Sequence, residues 1–246
     1  MSTNATARLY RMMMPDHKCP YGQKSRWLLK RYGLPFEDHL LRTHDEVQEF
    51  KRLENVETTP QTWIGDERIG GYDDLRAYFG KPLPDPDATT YRPVIAIFAV
   101  AALLAAAMTA ATDGPGWALI PRFAAFAMVL LGLQKLQDVE SFSTMFLNYD
   151  LMSQRWVPYA YAYPFLETGA GLLMIAGLMP WLSGPVALFI GGVGAWSVVR
   201  AVWIEKRELK CACVGGGSNV PLGFVSLTEN LVMLGMGLFT ILRALV

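Results

Sequence analysis

The sequence predicts two units of different fold class, a small α/β domain followed by an all-α bundle of transmembrane helices. Charged residues occur every few positions before Tyr91, whereas residues 94–112 and 168–199 carry none. The mean hydropathy is positive although 18% of the residues are charged, and a length of 246 residues leaves room for two domains. A net charge of zero gives no basic stripe, so nucleic acid is not an expected partner.

The boundary between the two units is predicted at a proline-spaced polar segment that begins near Lys81. A segment of this composition is a semi-stiff connector rather than part of a core. We therefore assign residues 1–82 to the α/β domain, residues 83–92 to a linker and residues 93–246 to the membrane domain.

Periodicity and turn signals divide the first unit into strands and helices. Apolar residues recur at helical spacing after Pro20 and the helix ends at Gly33, Thr43 is an N-cap candidate, and Gly65-Asp66 forms a two-residue hairpin turn. Together these elements give a small mixed sheet with helices on its faces. Strands are expected over residues 7–13, 36–41, 61–64 and 67–69, and helices over residues 20–32, 45–53 and 73–79.

Five apolar runs follow the linker, and each approaches the ~20 residues that a spanning helix needs. Lysine and arginine concentrate on alternate connections, which by the positive-inside rule places the α/β domain and the segment around Lys210 in the cytoplasm. Residues 1–11 lack the apolar core of a secretory signal, in agreement with that orientation. The spans are expected at residues 93–112, 117–136, 157–177, 181–203 and 222–245.

The three cysteines of the chain all lie where a sulfur could react. Cys19 precedes a predicted helix, whose unpaired N–H groups and positive dipole end favour a thiolate, and Lys18 adds positive charge. Cysteines on the cytoplasmic side are more often catalytic than structural, since disulfides are rare there. The alternative for Cys19 is a small buried hydrophobe.

Cys211 and Cys213 form a Cys-x-Cys step that runs into a glycine segment, residues 215–217. A disulfide between them needs a tight turn, because alternate residues of a strand point to opposite faces. Such a strained bridge is easily reduced, which suits thiol exchange. The alternative is half of a soft-metal site, since thiolates select copper(I), zinc or mercury, and an inert role also stays open.

Three motifs of the first unit resemble those of a glutaredoxin, in order and in spacing: Cys-Pro-Tyr-Gly at 19–22, Thr-Pro-Gln at 59–61 and Gly-Gly-Tyr-Asp-Asp at 70–74. The resemblance covers residues 8–80 and implies a thioredoxin-like fold, a cis peptide bond before Pro60 and glutathione as co-substrate. Cys19 would be the catalytic thiol. The implied glutathione-binding residues are Lys18, Tyr21, Thr59, Pro60, Gly71, Tyr72 and Asp73.

Two positions depart from the glutaredoxin pattern. Gly22 replaces the second cysteine of dithiol members, so no local thiol can resolve a mixed disulfide at Cys19. Asp16 stands where many members carry a lysine. The acidic residue is expected to weaken binding of the glutathione carboxylate. A mixed disulfide at Cys19 must therefore be resolved by glutathione or by Cys211 and Cys213.

A second set of residues lies in the membrane domain: Arg122, Gly132, Lys135, Leu136, Asp138, Phe142, Tyr149, Pro164, Glu167, Cys211 and Cys213. With these residues the domain resembles MauE, the methylamine-utilisation membrane protein, within the wider DoxX-like group. The resemblance spans residues 117–242 and implies a four-helix unit linked to disulfide chemistry, with residues 93–112 as one extra span. Its motifs are looser than those of the α/β domain, which we call the head, and only the Cys-x-Cys-x-Gly-Gly step carries evident chemistry.

Glu167 and Glu229 fall inside predicted spans, where ionisable groups are costly and usually face the interior of a bundle. Their functional interpretation is proton uptake or gating, and the alternative is hydrogen bonding between helices. Tyr159, Tyr161 and Tyr163, together with Trp156, most simply form an interfacial aromatic belt. A quinone pocket at these tyrosines is the weaker alternative.

These observations predict a membrane-anchored, glutathione-linked thiol–disulfide oxidoreductase in which Cys19 exchanges with the Cys211/Cys213 pair. The expected location is the bacterial inner membrane, with the head and the Cys211/Cys213 loop on the cytoplasmic side. Expected partners are glutathione, the lipid bilayer and a thioredoxin-like or disulfide-containing client protein. The alternative is a thiol-based carrier of a soft metal ion or a glutathione conjugate, bound through Cys211 and Cys213.

Overall fold

A computed structural model describes residues 6–83, 85, 88–212 and 220–245. The chain separates into two compact units, residues 1–86 and 87–246, which we describe one at a time.

The first unit is a four-stranded mixed sheet with helices packed on it, as the sequence predicts. The strand order is β2-β1-β3-β4; β1 pairs parallel with β2, whereas the other pairs are antiparallel. The core comprises six buried apolar residues: Ala7, Leu9, Leu28, Leu29, Ile64 and Leu75. The elements are β1 (Ala7–Met12), α1 (Pro20–Arg31), β2 (Phe36–Leu41), α2 (His44–Glu54), β3 (Gln61–Ile64), β4 (Glu67–Gly70) and α3 (Tyr72–Tyr78).

Local signals set the boundaries of these elements. The Thr43 side chain accepts a hydrogen bond from the backbone N–H of Glu46, 3.2 Å away, and so caps α2. Gly33 follows the end of α1 with a φ of 66°, a conformation that favours glycine. The peptide bond between Thr59 and Pro60 is cis, as the glutaredoxin resemblance implies.

The second unit is helical. Between the predicted spans it contains two short helices, α6 and α7, that the sequence analysis did not anticipate. A 3₁₀ turn at Gly116–Ala118 leads into α5, and α9 continues as a π-helical turn over Arg200–Ile204. The helices are α4 (Arg92–Ala111), α5 (Leu119–Leu136), α6 (Val139–Phe146), α7 (Leu151–Arg155), α8 (Pro158–Ala176), α9 (Pro180–Val199) and α10 (Phe224–Leu245).

Four helical segments of the described chain are long and apolar enough to cross a membrane: 92–111, 116–136, 180–204 and 224–245. They match four of the five predicted spans. The fifth, residues 157–177, is helical as α8, but its tyrosines and Glu167 make it more polar than the other four. A fifth span at α8 therefore stays a prediction.

Small residues bring α9 and α10 close together. A Cβ atom added at Gly191 would lie 2.6 Å from the backbone nitrogen of Leu234, and one added at Gly237 would lie 2.5 Å from that of Leu188. Backbones approach this closely only where side chains are absent, which is the usual way that membrane helices associate. The contact fixes α10, which carries Glu229, against α9.

The predicted aromatic belt is wrong for two of its members. Tyr159 and Tyr163 are 2% exposed and pack into the bundle core against Phe142 and Phe146, whereas Tyr161 is 39% exposed. Tyrosines two apart on a helix lie about 200° apart around its axis, so 159 and 161 cannot share a face, whereas 159 and 163 do. The buried pair therefore belongs to the interior of the unit.

Candidate thiol–disulfide site

Cys19 lies where the chain leaves the sheet and enters α1. Its backbone N–H donates to the carbonyl of Met12, its own carbonyl accepts from Gln23, and Pro20 opens the helix. The residue is 6% exposed and its thiol is free. Its place at the N-terminus of a helix matches the sequence prediction, and Lys18 beside it is exposed.

Two aromatic rings stand beside the start of α1. The rings of Tyr21 and Tyr72 are 6.3 Å apart, and the Lys24 ammonium lies 5.6 Å from the centre of each. A Cβ atom at Gly71 would be 3.7 Å from the carbonyl oxygen of Pro60, so the 59–61 and 70–74 motifs are neighbours. These predicted residues therefore come together within the first unit.

The two aspartates that open α3 have different surroundings. Asp74 accepts a hydrogen bond of 2.9 Å from the backbone N–H of Gly71, and therefore serves as a cap. Asp73 is exposed and makes no such bond within the described chain, so it is available to a ligand amine. Thr59, also predicted to bind glutathione, is partly buried.

The space next to Gly22 explains why no second cysteine follows Cys19. A Cβ atom at Gly22 would lie 2.7 Å from the Cβ atom of Arg11. Arg11 is 3% exposed and its guanidinium is held by Asp38 at 2.7 and 2.8 Å. A side chain at 22 would require this buried ion pair to shift, so glycine at the position is a packing requirement as well as the loss of a thiol.

Cys211 lies in a short segment whose backbone pairs with residues 220–222. Its N–H donates to the carbonyl of Val220 at 2.7 Å, the N–H of Leu222 donates to the carbonyl of Leu209 at 2.7 Å, and Lys210 bridges Pro221. Cys211 is disulfide-bonded and fully buried. Cys213 and the glycine segment lie outside the described residues.

The Cys211 sulfur has a hydroxyl neighbour and an apolar cover. The Ser226 hydroxyl donates to Sγ at a distance of 3.0 Å. Val94 of α4 packs with Cys211 and Val220 in one small core, with Phe98 beside them. Attack on this sulfur from solvent is therefore blocked in the described arrangement.

Glu167 and Glu229 meet at Lys135, and all three side chains are buried. The Lys135 Nζ is 2.8 Å from Oε2 of Glu167 and 2.6 Å from Oε1 of Glu229. Lys135 belongs to α5, Glu167 to α8 and Glu229 to α10, and we call these three residues the Lys–Glu–Glu cluster. Its pairing agrees with the general behaviour of ionisable groups inside membranes.

Tyr149 lies close both to the Lys–Glu–Glu cluster and to Ala212, the residue after Cys211. The backbone N–H of Ala212 donates to its hydroxyl, and the Glu229 carboxylate lies nearby. Burial raises the pKa of Tyr149 above its ordinary value, and the charge of Glu229 raises it further. Burial likewise raises the pKa of the adjacent Asp150, although donors from Ser153 and Ser197 oppose the shift.

A cavity of about 660 Å³ lies beside the segment whose backbone pairs with residues 220–222. Its wall includes three basic residues, Lys206, Arg207 and Lys210, and one acidic residue, Glu208, so basic groups outnumber acidic ones among the described lining residues. Its size suits a small peptide, and its positive charge suits one that carries carboxylates.

The sequence places both glutamates inside predicted spans without showing their partner, which in the structure is Lys135. The sequence does contain a pattern that indicates this pairing: one basic and two acidic residues lie on three different predicted spans. A charged side chain inside a membrane bundle needs a partner of opposite charge. The roles of Tyr149 and Ser226 had no such signal, because their proximity to Cys211 depends on how the chain closes around residues 209–222.

Comparisons with known proteins divide the chain in the same way as the fold. Residues 116–243, about half of the chain, match the model of the family described as methylamine utilisation protein MauE, and residues 8–69 match the glutaredoxin model. A glutaredoxin from Pseudomonas aeruginosa is 38% identical over 60 residues, which cover 24% of this chain and 71% of that protein.

Two further relatives also match the head alone. A probable glutaredoxin from Synechocystis sp. is 34% identical over 70 residues, 28% of this chain and 80% of that protein. The hybrid peroxiredoxin hyPrx5 from Haemophilus influenzae is 38% identical over 61 residues, 25% of each chain. The match therefore spans only a quarter of the peroxiredoxin but most of the two glutaredoxins.

Proposed function

Because this chain belongs to the methylamine utilisation protein MauE family and carries a glutaredoxin domain before it, we propose that it is a membrane-anchored, glutathione-linked thiol–disulfide oxidoreductase. The observation that carries the proposal is the pair of redox states: Cys19 is a free thiol at a helix N-terminus, whereas Cys211 is disulfide-bonded. With three cysteines in the chain, Cys213 is the partner that Cys211 would have.

The exchange begins at the sulfur of Cys213, because the Cys211 sulfur is covered. The Cys19 thiolate attacks it, the bond between Cys211 and Cys213 breaks, and its electron pair leaves on Cys211, which takes up a proton. Glutathione thiolate then attacks the Cys19 sulfur of the mixed disulfide and releases the Cys213 thiol. A second glutathione releases Cys19, so two glutathiones become one glutathione disulfide while the Cys211–Cys213 disulfide becomes two thiols.

The glutathione site proposed for the head is the cleft between the Tyr21 and Tyr72 rings, with Lys18 and the backbone at Thr59, Pro60 and Gly71 along it. Three features support it: the proximity of the 59–61 and 70–74 motifs, the cation at Lys24, and the exposed Asp73 at the start of α3. Carboxylates at a helix N-terminus suit the dipole and leave Asp73 free to hold the glutathione amine.

We place the protein in the bacterial inner membrane, with the head and the Cys211/Cys213 loop on the cytoplasmic side. The lysine and arginine distribution supports this orientation. A disulfide-containing or thioredoxin-like client would then receive electrons from the reduced Cys211 and Cys213. A quinone acceptor finds little support, since the buried tyrosines pack tightly in the bundle core.

The test compares wild type with Cys19→Ser. Full-length oxidised protein is mixed with glutathione, and new thiols at 211 and 213 are counted by alkylation and mass spectrometry. We expect the variant to be reduced at least ten times more slowly, and equal rates would overturn the relay. In a Cys211→Ser variant treated with glutathione disulfide, which is reduced to two glutathiones as the bond forms, Cys19 and Cys213 should accumulate as a disulfide cross-link, because no neighbouring thiol is left to open it.

The second candidate function is a carrier for a glutathione conjugate or a soft metal ion. The cavity beside Lys206, Arg207 and Lys210 favours the conjugate, since its basic wall suits the two carboxylates of glutathione. A carrier would move labelled conjugate into proteoliposomes, and a Lys206→Ala/Arg207→Ala variant would not. A metal carrier would hold stoichiometric metal that is lost when Cys211 and Cys213 are both replaced.

A further inference from the structure

The Lys–Glu–Glu cluster carries one more acidic group than basic groups. Lys135, Glu167 and Glu229 are 3%, 0% and 6% exposed. An unpaired buried carboxylate is strongly destabilising, and such groups take up a proton instead. Both carboxyl groups approach the same ammonium, Glu167 at 2.8 Å and Glu229 at 2.6 Å, so two acidic side chains share one cation.

The described surroundings of the cluster supply no second cation. From α8, Tyr163 and Tyr159 face the cluster, Tyr149 approaches from the segment after α6, and Asp150 follows it. The buried face of α9 contributes small and apolar residues together with Ser197. Among the described residues, the Oε2 atom of Glu229 has no hydrogen-bond donor, and a proton between the two carboxyl groups would satisfy it.

The cluster lies one helical turn from the reactive sulfur. Glu229 follows Ser226 by three positions on α10, so the two side chains share a face. The Ser226 hydroxyl donates a hydrogen bond to the Cys211 sulfur at 3.0 Å. The Tyr149 hydroxyl accepts one from the backbone of Ala212 and lies near enough to Glu229 to be influenced by its charge. The Ser226 hydroxyl therefore contacts the sulfur that must leave and lies on the same face of α10 as Glu229.

We propose that Lys135, Glu167 and Glu229 form a proton-binding site that protonates the Cys211 sulfur when its disulfide is reduced. This inference rests on the proposed function. As the S–S bond breaks, the electron pair on Cys211 Sγ takes the Ser226 hydroxyl proton, and Ser226 regains a proton from the carboxyl pair. The cluster then recovers its proton from water, so the thiol exchange as a whole stays balanced.

The test has two arms and uses full-length protein. Infrared spectra of the oxidised protein should show the C=O stretch of a protonated carboxyl that shifts in heavy water and disappears in Glu229→Gln. This variant leaves Lys135 and Glu167 as a neutral pair, so it is expected to fold. Glu140→Gln, which removes a carboxyl group that bonds Tyr161 at 3.0 Å in an exposed position, should keep the band.

The second arm measures the rate of Cys211 reduction by glutathione against pH. General acid catalysis contributes about 10²–10⁴-fold, so we expect Glu229→Gln to be slower by about a hundredfold and to lose the decline in rate at high pH. A missing infrared band overturns the proton site, and an unchanged rate overturns its role. If glutathione reduces no variant, including wild type, the proposed function fails while the infrared band still decides whether the proton is bound.

A different observation points to a second site, at the other ends of these helices. A cavity of about 640 Å³ is lined by Arg122 of α5 and Arg243 of α10, and the described residues of its wall include no acidic one. The Arg243 guanidinium lies 5.7 Å from the ring centre of Trp117, and one buried Nη1 atom of Arg122 has no acceptor within the described chain. The rest of the wall is largely apolar, including Met108, Leu173, Met236 and Phe239.

We infer that this cavity binds the phosphate of an anionic phospholipid, with the acyl chain along its apolar wall. Two guanidinium groups that share a wall without a described carboxylate favour an anion, and arginine pairs well with phosphate. The apolar wall and the candidate spans around the cavity favour a lipid over free phosphate.

Thermal unfolding in detergent tests the lipid site with added phosphatidylglycerol, phosphatidylcholine or inorganic phosphate. We expect phosphatidylglycerol to stabilise wild type more than the other two, and Arg122→Gln and Arg243→Gln to lose the difference. Arg92→Gln, an exposed arginine at the start of α4, should behave as wild type. Equal stabilisation by inorganic phosphate would assign the site to a free anion, and an equal response of all variants would overturn it.

Discussion

The hydroxyl group of Ser226 donates a hydrogen bond to the sulfur of Cys211 across 3.0 Å, inside a fully buried pocket. A hydroxyl donor stabilises negative charge on sulfur more than it stabilises a neutral disulfide. The first turn of α10 is therefore positioned to assist the departure of Cys211 during exchange.

Ser226→Ala should slow reduction of the Cys211 disulfide by glutathione. Because Ser226 also passes the proton to the leaving sulfur, we expect a decrease of about a hundredfold in the alkylation-based rate, as for Glu229→Gln. Ser183→Ala is the matched control, because that buried hydroxyl donates to the carbonyl of Met179, one turn earlier in the chain. A rate that falls equally in both variants would indicate a general packing effect.

Gly22→Cys should not restore a dithiol glutaredoxin. The added Cβ atom would meet Arg11 at 2.7 Å, and overpacking of this kind costs about 1–3 kcal/mol. Calorimetry of the full-length protein should show a lower unfolding temperature for the head. Gln23→Cys places a thiol on the exposed neighbouring position and should leave that temperature unchanged. A stable Gly22→Cys variant in which Cys19 forms a disulfide with the introduced thiol would contradict the packing argument.

Lys135→Met should destabilise the membrane unit more than either glutamate replacement. Removing one partner of a buried ion pair costs about 3–5 kcal/mol, because the remaining charge is left unpaired. Thermal unfolding in detergent should show a large loss for Lys135→Met and a partial recovery in Lys135→Met/Glu229→Gln. Equal stability of the two variants would mean that Glu229 is already neutral without its cation.

Gly191→Ala should separate α9 from α10. The new Cβ atom would lie 2.6 Å from the backbone nitrogen of Leu234 and 2.7 Å from the carbonyl oxygen of Asn230, and backbone cannot rotate away as a side chain can. We expect a loss of about 1–3 kcal/mol in detergent unfolding. Gly235→Ala, whose Cβ position has no described atom within 4 Å, should cost far less.

The sequence predicts the head well because its signals are local. Thr43 caps a helix, Gly33 ends one and Gly65-Asp66 turns a hairpin, and each depends on residues within a few positions. The order of the strands and the place of Cys19 then follow from short connections. The contact between Gly22 and Arg11 could not be predicted in this way, since the two residues meet only after α1 packs on β1.

The membrane unit was harder to predict because its apolar runs carry little directional information. Four spans are evident from composition alone, whereas the burial of Tyr159 and Tyr163 depends on which face of α8 turns inward. The pairing of Lys135 with Glu167 and Glu229 joins residues that are 32 and 94 positions apart. The sequence shows that these charges need partners, and only the packed bundle shows which ones they find.

Val94 covers the Cys211 sulfur, yet it belongs to α4, which lies outside the 116–243 segment that matches the MauE model. Helix α4, which follows the linker, thus also contributes to the apolar packing that buries the Cys211 sulfur. Cutting the polypeptide ahead of α4 would leave the sulfur sheltered, whereas cutting behind α4 would strip away one wall of its pocket. The first helix of the membrane unit therefore keeps solvent from the cysteine, in addition to connecting the head to the membrane.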